Sequence, residues 1–167
     1  FFERNHPNWL RYTMIDVRRV AEFENIPFGP PRPDPIVQDI ATRQIAADQP
    51  YIHRITRLGQ AAARRAKGLA FAHEAAQLIW GGAVDWREGT HLAEAATRVG
   101  LDFADLENEV AQDAAALDSE IAANQQGLEE AGHWGVPTLV FDGESFFGQD
   151  RIAMAIWRME QKGLEQR

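Results

Sequence analysis

Two short runs near the C-terminus hold the residues best placed to bind something. In Trp134-Gly135-Val136-Pro137, the proline cannot donate a ladder hydrogen bond and forces the residue before it into an extended conformation. The main-chain N–H and C=O of Val136 are thereby free to pair with something else. In Gly148-Gln149-Asp150-Arg151, an amide and a carboxylate sit where a helix N-cap belongs. Elsewhere, His73-Glu74 opens like a zinc-binding His-Glu-x-x-His, but Gln77 stands where the second histidine is needed. His53 and His91 are isolated on different helices, so no metal site is expected. The chain has no cysteine, which excludes within it a Cys-x-x-Cys pair, a thiolate metal site and a disulfide.

The elements that position the two runs are read locally. Thr138 to Phe141 is β-branched and aromatic, Asp142-Gly143 is a two-residue hairpin turn, and Glu144 to Phe147 alternates polar with apolar. These features predict two antiparallel strands. Gly148 ends the second strand, and Ile152, Ile156 and Met159 recur at helical spacing to give a closing helix. An isolated hairpin is marginal in water, so a further strand is expected to pair with it.

Upstream, Asn5-His6-Pro7-Asn8 is a turn and cap signal before a helix whose apolar face is Trp9, Tyr12, Val17, Val20 and Phe23. Tyr12, Asp16 and Arg19 share or nearly share one face of it, as a packed Tyr with a surface ion pair or as part of a site. Residues 26–35 contain five prolines and must be an extended connector. Consecutive amphipathic helices are then predicted over 38–48, 50–66, 69–81, 90–99, 103–112 and 115–131, with breaks at Pro50, Lys67-Gly68, Gly81-Gly82, Gly100 and Asp113. Trp80, Trp86 and Trp157 fit core or subunit-interface positions, whereas Trp134 could also line a site beside Val136.

A chain of 167 residues suits one ordinary domain with its own core. Its net charge of −8 would repel phosphate backbones, and Arg18-Arg19 and Arg64-Arg65-Ala66-Lys67 are too short to reverse that, so nucleic acid is not an expected partner. No apolar run approaches the roughly 20 residues of a membrane span, and a cytoplasmic location is expected.

The run from Gly135 to Ile152, GVPTLVFDGESFFGQDRI, resembles the C-terminal signature of the 2-hydroxychromene-2-carboxylate isomerases and the related kappa-class glutathione transferases, in the DsbA-like branch of thioredoxin folds. The Arg11-Tyr12, Asp16, Arg19 run and the Pro-rich connector are similar to theirs as well. The resemblance implies an α/β, thioredoxin-like fold with a large all-helical insertion, mostly helical in these residues. It divides the chain into a helix and Pro-rich connector over 1–36, a helical insertion over 37–114, and a C-terminal helix, hairpin and helix over 115–167. It implies a cis Val136–Pro137 peptide, and a β-α-β unit ahead of residue 1 that this chain lacks.

The same resemblance implies a glutathione-dependent isomerase acting on an aromatic-derived 2-oxo or 2-hydroxy acid. Val136 would exchange main-chain hydrogen bonds with the cysteinyl part of glutathione, as in strand addition. Gln149 and Asp150 would hold the γ-glutamyl end, Asp150 taking its ammonium, with Pro137 and Trp134 completing the site. Asp150 is equally readable as a plain N-cap. Relatives often carry Pro-Ile-Asn where this chain has Pro35-Ile36-Val37, which removes one polar contact to glutathione. No serine here takes the thiol-holding role, since Ser119 falls on a helix and Ser145 on the hairpin, and the catalytic group is expected in the absent N-terminal segment. A DsbA-like dithiol oxidoreductase with its cysteines in that segment, and a non-catalytic helical interaction module, are the alternatives. A homodimer is expected from the apolar hairpin edge and the Trp-rich helices.

Overall fold

A computed structural model of the chain describes residues 6, 8–39, 42, 44–82 and 85–165. The chain forms two compact units, Phe1–Ala114 and Ala115–Arg167.

In the first unit, helix α1 (Asn8–Phe23) leads into the Pro-rich connector. Tyr12 is exposed, and Asp16 meets Arg19 at 3.9 Å, so the ion pair forms while the tyrosine is not packed. The helix predicted over 38–48 is not there. Strands β1 (Gln38–Asp39) and β2 (Gln44–Ile45) pair antiparallel in its place. Two side chains divert the backbone from helix by offering it other partners. Asp39 Oδ1 accepts the Thr42 N–H at 2.8 Å, which makes a turn. The Gln49 side-chain amide accepts from the Val37 N–H at 2.9 Å and donates to the carbonyls of Val37 and Ala46, each at 2.8 Å.

Helices α2 (Pro50–Arg64), α3 (Gly68–Trp80) and α4 (His91–Arg98) follow, with α2 against α3 and α3 against α4. Pro50 opens α2, where its missing N–H has no helical partner to lose. The core holds Leu58, Phe71, Ile79, Trp86, Leu92 and Leu106, and the small Ala61, Ala62, Ala75, Ala95 and Ala96 let the helices approach. Trp86, fully buried, donates its indole N–H to the Pro33 carbonyl at 2.8 Å, anchoring the connector.

Helix α5 (Phe103–Glu130) starts at an Asp102 cap whose Oδ1 accepts the N–H groups of Ala104 and Asp105. The break predicted at Asp113 is there: its backbone is non-helical (φ −125°, ψ 24°), and two helical stretches, as predicted over 103–112 and 115–131, meet across it. On the first stretch, Glu109 takes Arg64 at 2.7 Å and also Arg65. Burial raises the Glu109 carboxyl, but the two guanidiniums outweigh this and hold it below the usual carboxylate range.

The second unit carries the predicted hairpin with its predicted bounds. Strands β3 (Thr138–Phe141) and β4 (Glu144–Phe147) pair antiparallel in the register Thr138 with Phe147 through Phe141 with Glu144. Asp142 (φ 50°) and Gly143 (φ 79°) both take the left-handed conformation that a type I′ turn requires. Helix α6 (Ile152–Gln161) packs on both strands. It is tied to the hairpin by Arg158 to Glu144 at 3.0 Å and Lys162 to Asp142 at 2.8 Å. Among the described residues, no other strand pairs with β3.

Candidate functional site

The site is built by a chain reversal between α5 and β3. Just beyond the end of α5 stands Gly132, whose φ of 93° is open to glycine and costly for other residues. His133 then turns inward, and its Nδ1 accepts the Gly135 N–H at 2.9 Å. That bond makes Nδ1 the acceptor nitrogen, so a neutral ring carries its proton on Nε2. The imidazole stacks on Trp134 (centroids 4.5 Å apart, planes 6° apart) and on Phe147 (4.0 Å, 19°). Gly135 passes so close to this stack that a Cβ there would lie 2.6 Å from Phe147 Cε2 and 3.1 Å from His133 Cε1.

Beyond Gly135 the chain runs out over the rim. Val136 is 80% exposed, its peptide bond to Pro137 is cis as the resemblance implied, and its main chain makes no hydrogen bond among the described residues. Thr138 Oγ1 donates to the Gly135 carbonyl at 2.6 Å, bracing the turn from below. The Pro137 carbonyl accepts the Gly148 N–H at 2.9 Å, which joins the mouth of β3 to the residue where the final helical segment begins.

That segment differs in one respect from expectation. Gln149 and Asp150 are not caps. Gly148 holds the cap position, and Gln149–Arg151 forms a 3₁₀ turn ahead of α6 with no side-chain capping bond. A Cβ at Gly148 would meet Asp150 Oδ1 at 2.6 Å, so the carboxylate lies against the glycine instead of over the helix start. Asp150 Oδ2 accepts from Arg151 Nη1 at 2.7 Å, and both side chains are substantially exposed.

The five residues singled out from the sequence therefore lie along one hydrogen-bonded and stacked rim. Val136 and Pro137 form the open peptide, Gln149 and Asp150 follow the residue bonded to Pro137, and Trp134 caps a ring stack that rests on Phe147. Sequence reasoning missed His133, Phe147 and the Arg151 partner of Asp150. The signal for His133 was its place two residues before Gly135, where an imidazole can accept a main-chain N–H. Among the described residues, no group of histidine, aspartate and glutamate could hold a metal ion, and no helix is long and apolar enough to cross a membrane.

Residues 3–156 match the family model of the DSBA-like thioredoxin domain. The chain belongs to this family. The DsbA-like chain also matches the solved structure of selenomethionine 2-hydroxychromene-2-carboxylate isomerase, with a TM-score of 0.63 and 20% identity. The match covers 92% of this chain and 66% of that one, so the chain spans just under two thirds of its neighbour's length. No curated protein matches it. The fold is thus thioredoxin-like of the DsbA type, α/β with a helical insertion.

Proposed function

We propose that the DsbA-like chain carries the glutathione-binding part of a glutathione-dependent isomerase, of the type that acts on 2-hydroxychromene-2-carboxylate or a related aromatic-derived 2-oxo acid. The observation that supports this best is the main chain of Val136, which is exposed, without a partner among the described residues, and followed by a peptide bonded to the start of the last helical segment.

The residues present fit glutathione. An extended tripeptide needs a main-chain donor and acceptor in register, and Val136 offers both in the manner of strand addition. Its γ-glutamyl end carries an ammonium and a carboxylate. Asp150 suits the first, and the Arg151 guanidinium paired with it suits the second. Gln149 adds an amide able to donate or accept. When bound, glutathione supplies a thiol able to add reversibly to a conjugated double bond, allowing rotation about that bond before it leaves. The chain's own part is to hold and orient. Ser119 and Ser145 are not placed for more, because Ser119 Oγ donates to the Ala115 carbonyl and Ser145 lies within β4. Exposed apolar side chains on α1 (Trp9, Phe23) and α6 (Met154, Trp157) support a homodimer, which light scattering tests.

Calorimetric titration of the folded protein with glutathione and with S-methylglutathione tests the reading. Saturable heat with both ligands supports it, since the shelf grips main chain and γ-glutamyl groups and not sulfur. No heat with either, in protein with an intact circular dichroism spectrum, sinks it.

A further inference from the structure

The ring stack at the shelf has an unfilled end. Phe147 and Trp134 are both parallel to the His133 imidazole with centroids 4.0 and 4.5 Å from it. Two rings stacked that closely on one face would overlap each other, so they lie on opposite faces and the order is Phe147, His133, Trp134. The imidazole is held on both faces and fixed at its edge by the Gly135 N–H. Trp134 therefore presents a pre-oriented indole whose inner face is covered, yet the residue is 72% exposed, and no other ring stacks on it among the described residues. A large aromatic held rigid and left open is unusual, because burying it would remove 150–250 Å² of mostly apolar surface from water.

The geometry points to Trp134 as a stacking platform for the flat, conjugated ring of a small-molecule substrate, the next layer of the Phe147, His133, Trp134 stack. The inference rests on the isomerase reading for the identity of the substrate, and it names the feature recognised as a planar π-system. Three observations select this occupant over a protein side chain. The platform is parallel-stacked, a geometry that favours an offset flat ring over an aliphatic group. It lies two residues from Val136, whose exposed main chain makes no hydrogen bond among the described residues. The stack is fixed from below by Phe147, whose strand register holds it opposite Thr138, so the indole does not have to be ordered when a ring arrives.

Coumarin-3-carboxylate serves as the planar probe and cyclohexanecarboxylate as the non-planar acid. Both are titrated into the wild-type protein, Trp134→Phe and Trp134→Leu, without glutathione and with it. The expected result is that Trp134→Phe binds the coumarin acid within about threefold of wild type, while Trp134→Leu loses roughly tenfold, the scale of an aromatic stacking contact. Cyclohexanecarboxylate should bind all three proteins alike. Equal coumarin affinity in Trp134→Leu and wild type overturns the inference. So does an equal loss for both acids, or a solution mass that halves on Trp134→Leu, which would assign the indole face to a second copy of the chain. Absence of glutathione binding with the coumarin pattern intact would remove the isomerase reading and leave the platform standing.

Discussion

The N–H of Gly148 donates to the carbonyl of Pro137 across 2.9 Å, and this one bond sets the mouth of β3 beside the start of the last helical segment. Gly148 has φ 98° and ψ 154°, a region that residues with a Cβ rarely adopt. Gly148→Ala should therefore destabilise the protein by about 1–3 kcal/mol. Its Cβ would also displace Asp150 Oδ1, so glutathione affinity should fall as well. Urea midpoints with unchanged slope, alongside calorimetry, check both effects.

Asp150 should matter to ligand more than to fold. It makes no capping bond and its side chain is mostly exposed, so Asp150→Ala should change stability by less than about 0.5 kcal/mol. Loss of a charge-assisted contact to the γ-glutamyl ammonium should weaken glutathione about tenfold or more. An unchanged Kd for Asp150→Ala would count against its ligand role.

Gly135→Ala should disorder the ring stack, since the added methyl has no room beside Phe147 and His133. Overpacking of this kind costs typically 1–3 kcal/mol. The near-ultraviolet dichroism of the aromatic rings should drop while the far-ultraviolet helical signal is kept.

Lys162, at the end of α6, and Asp142, in the hairpin turn, form a pair sensitive to pH at both ends of the scale. The ammonium hydrogen-bonded to Asp142 holds that carboxyl below its ordinary value, and Asp142 in turn raises Lys162. A lowered carboxyl contributes stability above its unfolded value of about 4 and loses it as pH falls through the folded value. A raised ammonium contributes below about 10.4 and loses it as pH rises through the folded value. A double-mutant cycle with Asp142→Asn and Lys162→Met should show coupling at pH 7 that disappears near pH 2 and weakens in salt. The same coupling at both pH values would refute the pair's contribution.

Trp86→Phe keeps an aromatic ring in the core and removes the donor to Pro33. The lost bond leaves a carbonyl without its partner and a small void, so a cost of about 1–3 kcal/mol is expected from thermal unfolding.

What could be read from the sequence was what neighbouring residues decide. The hairpin bounds followed from the Asp142-Gly143 turn and the alternation around it, and the interruption at Asp113 between two helical stretches was visible as well. The helix over 38–48 failed because the partner that turns Val37 away from helix is the side chain of Gln49, twelve positions later, and apolar spacing contains no trace of it. The same limit hid His133. Its stacking on Phe147 exists only once the hairpin has folded back, and only then does a histidine two residues before a glycine become the clamp of a turn.

Gln49 also decides what Val37 can no longer do. Its amide answers both the donor and the acceptor of Val37, whose carbonyl also takes the Ala46 N–H at 2.9 Å, and that peptide is sealed against visitors. The molecule thus treats two valine peptides in opposite ways, plugging one from within and leaving Val136 bare. A search for what docks on this protein should begin where no glutamine stands in for the guest.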